Sequence, residues 1–127
     1  MDQTYLAFRE RALTLFRGAT CPCRACQALP TLDLKFMVHH GTFILQQVAG
    51  IRDLMGTDVN LIHRLAKNSV EQSTGWKGYA LFTNPVLERM QMSRDGYFKR
   101  CETYEHLGNV DIYCMDMHVR YEAMKAA

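Results

Sequence analysis

Three thiols, Cys21, Cys23 and Cys26, fall within six residues of this chain, in a loop reading Thr20-Cys21-Pro22-Cys23-Arg24-Ala25-Cys26 and closed by Pro30. Zinc favours thiolate ligands, so such a loop can wrap a metal if His39, His40, His118 or Cys101 supplies a fourth. The C-x-C-x-x-C spacing is not a paired zinc knuckle, and no second cluster follows it. The reading ahead of metal binding is a loop of partly buried free thiols, with redox sensitivity as a further reading. A disulfide inside the cluster would be strained at this spacing. A second group with chemical potential is the polar row Asn60, Arg64 and Asn68, at four-residue spacing. On a helix that spacing places all three on one face. Nothing in the sequence orders the five histidines and five cysteines into a nucleophile and base pair.

The elements that must position these residues follow from periodicity. Tyr5, Phe8, Ala12 and Phe16 form one stripe, with Leu13 beside it, and predict an amphipathic helix over 3–17. From Leu32 to His39 the chain alternates, with Leu32, Leu34, Phe36 and Val38 on one side and Asp33, Lys35, Met37 and His39 on the other. Period two predicts a strand with one buried face. His40-Gly41-Thr42 is expected to turn the chain into a second strand, Phe43 to Val48, with Gly41 supplying backbone freedom. Gly50 to Gly56 reads as a loop. A helix should run from a Thr57 cap to about Val70, with Asp58 in its first turn and Val59, Ile62, Ala66 and Val70 as its apolar stripe. A strand at Tyr79 to Phe82 precedes a helix opened by Thr83-Asn84-Pro85. Cys101 to Leu107 and Val110 to Met117 read as strands joined at Gly108-Asn109, and the tail from His118 reads as a partly frayed helix. The fold class expected is α+β, a single domain over 1–127 with helices packed on a mostly antiparallel sheet.

Composition bounds the function classes. A net charge of +2 from scattered Lys and Arg makes no electrostatic case for nucleic acid or an anionic membrane. No apolar run reaches the roughly 20 residues that a membrane span requires. Acids and bases among the apolar residues from Met1 to Glu10 do not make a signal peptide. An odd number of cysteines argues against a secreted disulfide framework, so the expected location is the cytoplasm.

Two segments carry a family resemblance. Leu34-Lys35-Phe36-Met37-Val38-His39-His40-Gly41-Thr42-Phe43 resembles the strand and turn "L-x-I-G-I-H-x-G-x-V" of class III adenylyl and guanylyl cyclases. Arg52-Asp53-Leu54-Met55-Gly56-Thr57-Asp58-Val59-Asn60-Leu61-Ile62-His63-Arg64-Leu65 resembles that family's "Y-D-x-W-G-x-x-V-N-x-A-x-R-L/M", with Asp, Gly, Val, Asn and Arg in register. The likeness covers roughly 31–117 and corresponds to the C-terminal half of the cyclase homology domain, a ferredoxin-like sandwich, with the family's first strands missing. The Cys loop together with Leu-Asp-Leu-Lys-Phe-Met-Val-His-His-Gly looks like an uncharacterised, mostly bacterial branch of that superfamily.

Family cyclases join the ribose 3′ oxygen to the α-phosphate, a reaction that rests on positioning and electrostatics. The resemblance implies that Arg64 sets its guanidinium on the α-phosphate, that Asn60 orients the ribose and that Asp53 reads the base, favouring ATP. It also implies a lack. The family holds its two metal ions with carboxylates from "F-x-D-I-x-G-F/Y-S/T" and a Gly-Asp hairpin, and neither pattern occurs here. The chain alone is therefore expected to be inactive, with Mg or Mn bound only if a partner contributes those acids. A sheet lacking its first strands has an open edge, which implies a homo-oligomer or a partner chain. The alternative function is a non-catalytic dimerisation module, with zinc at the Cys loop.

Overall fold

The computed structural model describes residues 1–18 and 33–126, and the Cys21, Cys23 and Cys26 loop lies outside them. The elements are α1 (Asp2–Gly18), β1 (Lys35–Val38), β2 (Ile44–Val48), β3 (Ile51–Met55), α2 (Thr57–Leu65), α3 (Val70–Thr74), β4 (Tyr79–Thr83), α4 (Asn84–Arg89), β5 (Phe98–Tyr104), β6 (Gly108–Asp116) and α5 (Met117–Ala126). The class is α+β. A four-stranded sheet has the order β1-β4-β6-β5, and β2 and β3 form a separate two-stranded hairpin. β4 runs parallel to β1, whereas β4·β6 and β5·β6 are antiparallel.

β4 is buried along its whole length, because both faces of the sheet are covered. Successive side chains point to opposite faces, so its residues divide between two cores. Ala80 and Phe82 join Tyr5 of α1, Val86 and Leu87 of α4, and Met117 and Tyr121 of α5. Tyr79 and Leu81 join Leu65, Val70, Ile112 and Cys114 on the opposite face. The alternation expected of the first strand holds: Leu34, Phe36 and Val38 pack on the first core and Met37 on the second. The chain termini close over the first core, where Arg120 grips Asp2 with both Nε and Nη2. The C-terminal segment forms the expected helix, with Tyr121 buried in ring-edge contact with Tyr5.

Four local expectations are corrected. The segment read as a loop over 50–56 contains strand β3, paired with β2 around a two-residue turn at Ala49 and Gly50, both at positive φ. That backbone matches the twist of a tight hairpin. Second, β1 and β2 are not partners: β1 pairs with β4, and the chain leaves the main sheet at His40 to Phe43. Third, the helix expected from Thr57 to Val70 breaks after Leu65 and resumes at Val70; Gly56 rather than Thr57 occupies its cap position. Its inward face is Leu61, Ile62 and Leu65, while Ala66 is exposed. Fourth, the last hairpin turns at Glu105 to Leu107, ahead of Gly108-Asn109, which begin β6. Among the described residues, no helix is long and apolar enough to cross a membrane.

Candidate functional site

α2 rises directly from the end of β3, so the hairpin and the helix present their residues side by side. Gly56 makes the junction: its φ of 137° is a conformation that L side chains rarely adopt. Its carbonyl accepts the Asn60 N–H at 3.0 Å and starts the helical ladder. Asn60 and Arg64 are both exposed, one helical turn apart, and neither side chain hydrogen-bonds or ion-pairs among the described residues. A donor fork and an amide therefore face solvent from one helix face, an arrangement suited to phosphate and hydroxyl groups.

Asn68, the third member of the expected row, turns inward instead. Its Oδ1 accepts from the Val70 N–H and the Tyr79 hydroxyl, each at 2.9 Å, and its Nδ2 donates to the Leu65 carbonyl at 2.8 Å. The bonds to Leu65 and Val70 satisfy backbone groups left open where α2 stops and α3 starts.

Asp53 lies in β3, opposite Gln46, and its Oδ1 accepts the next N–H, that of Leu54. On a two-stranded ribbon its face also carries Ile44, Val48, Ile51 and Met55. All ten residues of the two strands are exposed, Ile44 at 68% and Ile51 at 70%. An isolated two-stranded hairpin is marginal in water, and contiguous exposed apolar surface marks a binding surface.

Behind α2 lies a junction whose connectivity was not legible in the sequence. Asp58 Oδ1 stands 2.8 Å from His39 Nε2, and Asp58 Oδ2 accepts the Thr42 N–H at 2.9 Å. His39 Nδ1 stands 2.6 Å from the hydroxyl of Thr83, a buried residue. A carboxylate only accepts, so Nε2 carries the proton; in the neutral ring Nδ1 then accepts from the Thr83 hydroxyl. Hydrogen bonds from His39 and from the Thr42 amide hold the Asp58 carboxyl below the usual carboxylate range. Gly41 is needed here for close approach rather than backbone freedom, since the Asp58 carboxylate occupies the space a Cβ would take. The junction pins the end of β1, the start of α2 and the end of β4. With both ring nitrogens engaged and Thr83 buried, it works as a brace and offers no open base or nucleophile. An adjoining cleft of about 320 Å³, bordered by His40, Phe43, Val59 and Ile62, opens beside it.

Among the described residues, no three His, Cys, Asp or Glu side chains come together as a metal-binding set. Of the fourth ligands considered for the Cys loop, His39 is committed to the brace, while His40, Cys101 and His118 are exposed.

The family described as "Protein of unknown function (DUF2652)" matches residues 1–74, more than half of the chain. The "Uncharacterized protein Rv2561/Rv2562" of Mycobacterium tuberculosis is 29% identical over 111 residues, which is 87% of this chain and 50% of that relative. The chain thus spans about half the length of the curated relative it matches. No solved structure gives a significant match. These matches place the chain in a family of unknown function and do not bear on the resemblance to cyclases.

Proposed function

This chain belongs to the DUF2652 family, and we propose that it is a nucleotidyl-cyclase-like half-module, of the ferredoxin-like cyclase sandwich type, whose ATP-type site is completed by another chain. One observation carries the reading. Asn60 and Arg64 stand on the exposed face of α2 without partners among the described residues, beside a hairpin that exposes Asp53 within an apolar surface. In this reading Arg64 takes a phosphate, Asn60 a ribose hydroxyl and Asp53 the base, while the hairpin docks the second chain. That chain is a second copy or a polypeptide supplying the carboxylates that the described residues do not assemble. Mg or Mn held by those carboxylates would stabilise charge on the phosphate oxygens. The chain alone does not turn over nucleotide.

Calorimetric titration of a non-hydrolysable ATP analogue with manganese, on wild type and Arg64→Ala, tests it. At least tenfold weaker binding in the variant, about 1.4 kcal/mol, supports the nucleotide site. No binding to either protein overturns it.

The exposed hairpin also favours a second reading, a non-catalytic dimerisation module with zinc stiffening the Cys loop. Stoichiometric zinc that survives dialysis and disappears in Cys23→Ser supports that reading; metal-free protein removes the zinc from it.

A further inference from the structure

At the end of β6 lies a second cleft, of about 430 Å³, a volume in the range of small-molecule sites. Three stretches of chain meet there. Asp116, the last residue of β6, pairs with Tyr79, and Trp76 comes in from the segment leading into β4. Asp95 and Tyr97 come in from the segment leading into β5, whose first residue, Phe98, pairs with Cys114. Among the described residues the lining also takes in Met115 of β6 and Arg120 of α5. Trp76, Tyr97, Met115 and Asp116 are half-buried, and Asp95 is exposed.

Both rings are held by other rings. Trp76 meets Phe98 edge-on at 5.9 Å between centroids, and Tyr97 meets Phe82 edge-on at 5.8 Å. Asp116 Oδ1 accepts the His118 N–H at 2.9 Å, a bond that orients its carboxylate at the strand end. Arg120, the cation of the lining, is gripped by Asp2 through Nε and Nη2, so its charge is already matched.

Aromatic faces attract a cation through their quadrupole, and a thioether adds a polarizable wall. The two carboxylates supply opposite charge directly. A small metal ion would use the acids alone, and it takes a shell of oxygen ligands. Among the described residues no three metal-binding side chains come together. A neutral apolar molecule would use the rings alone and would strip water from the acids without pairing them. A cation with an apolar body uses both.

We propose that this cleft binds a small organic ammonium ion, its alkyl groups against Trp76, Tyr97 and Met115 and its charge facing Asp95 and Asp116. The proposal is independent of the nucleotide reading, which uses residues of β3 and α2.

Trp76 is the chain's single tryptophan and lines the cleft, so its emission reports occupancy directly. Tetramethylammonium and choline are titrated against wild type, Asp95→Asn and Asp116→Asn, with tert-butanol as the neutral counterpart and sodium chloride at matched ionic strength. An Asn at 116 keeps an oxygen for the His118 N–H, and position 95 is exposed, so both variants should keep the wild-type circular dichroism. The expected result is a saturable shift with at least one of the two ammonium ions, at least fivefold weaker in both variants, and none with tert-butanol or sodium chloride. A peptide carrying one trimethyllysine is the last arm, and it should bind no more tightly than the free ion. No shift with either ammonium ion would overturn the proposal. So would an equal shift with tert-butanol, or equal binding by wild type and variants. Tighter binding of the peptide would overturn the assignment to a free small molecule.

Discussion

His39 Nε2 and Asp58 Oδ1 stand 2.8 Å apart, joining the end of β1 to the first turn of the helix that carries Asn60 and Arg64. The His39 side chain is only 6% exposed, so this contact fixes the helix against the main sheet from within. Five expected outcomes follow from this and other contacts of the fold.

The Asp58 carboxyl is held below its ordinary range by His39 and by the Thr42 amide. A group with a depressed folded pKa contributes stability above its unfolded value and loses it as pH falls through the folded value. Urea denaturation should therefore find wild type more stable than Asp58→Asn at neutral pH. The gap should close below about pH 4, near the unfolded carboxylate value. A gap that stays constant down to acid pH would mean that the contact contributes through shape alone.

Asn60→Ala and Arg64→Ala remove exposed side chains without partners among the described residues. Thermal unfolding should place both within about 0.5 kcal/mol of wild type. Any loss of nucleotide affinity in them is then a binding effect and not a folding one.

Replacing Ile44 and Ile51 with Lys puts two charges on one apolar face of the hairpin. If the hairpin docks a second copy as proposed, sedimentation should show an oligomer for wild type and a monomer for the double variant, with its circular dichroism unchanged. A variant that sediments as wild type does would place the interface elsewhere.

Cys114 is fully buried, and burial pushes its thiol up to about 12. Maleimide followed by peptide mass analysis should modify the exposed Cys101 in the native protein and leave Cys114 untouched until denaturant is added. In the same core, Leu81→Ala should cost about 2–5 kcal/mol by urea denaturation.

Much of the architecture was legible because periodicity is a local property. The alternation Leu34, Phe36, Val38 against Met37 placed β1 and its two faces correctly. Pro85 after Thr83-Asn84 marked the start of α4. β3 was missed because Arg52 and Asp53 sit among apolar residues, and a strand exposed on both faces leaves no alternation to read. The available signal was Ala49-Gly50 between two apolar runs, a two-residue hairpin turn. The break in the helix at Asn68 was missed for the opposite reason: Asn fits a polar face, and only its bond to Tyr79 shows that it faces inward.

The sequence by itself determined the α+β class, the strand at 35–38, and the helix that sets Asn60 and Arg64 one turn apart. Each depends on residues a few positions apart, whose spacing fixes which side chains share a face. Only the tertiary structure decided that β1 runs parallel to β4, that His39, Asp58 and Thr83 meet in a brace, and that Tyr5, Phe82 and Tyr121 share one core. Those residues are separated by long stretches of chain. Their meeting follows from which faces the whole molecule can bury together, a condition that no local spacing encodes.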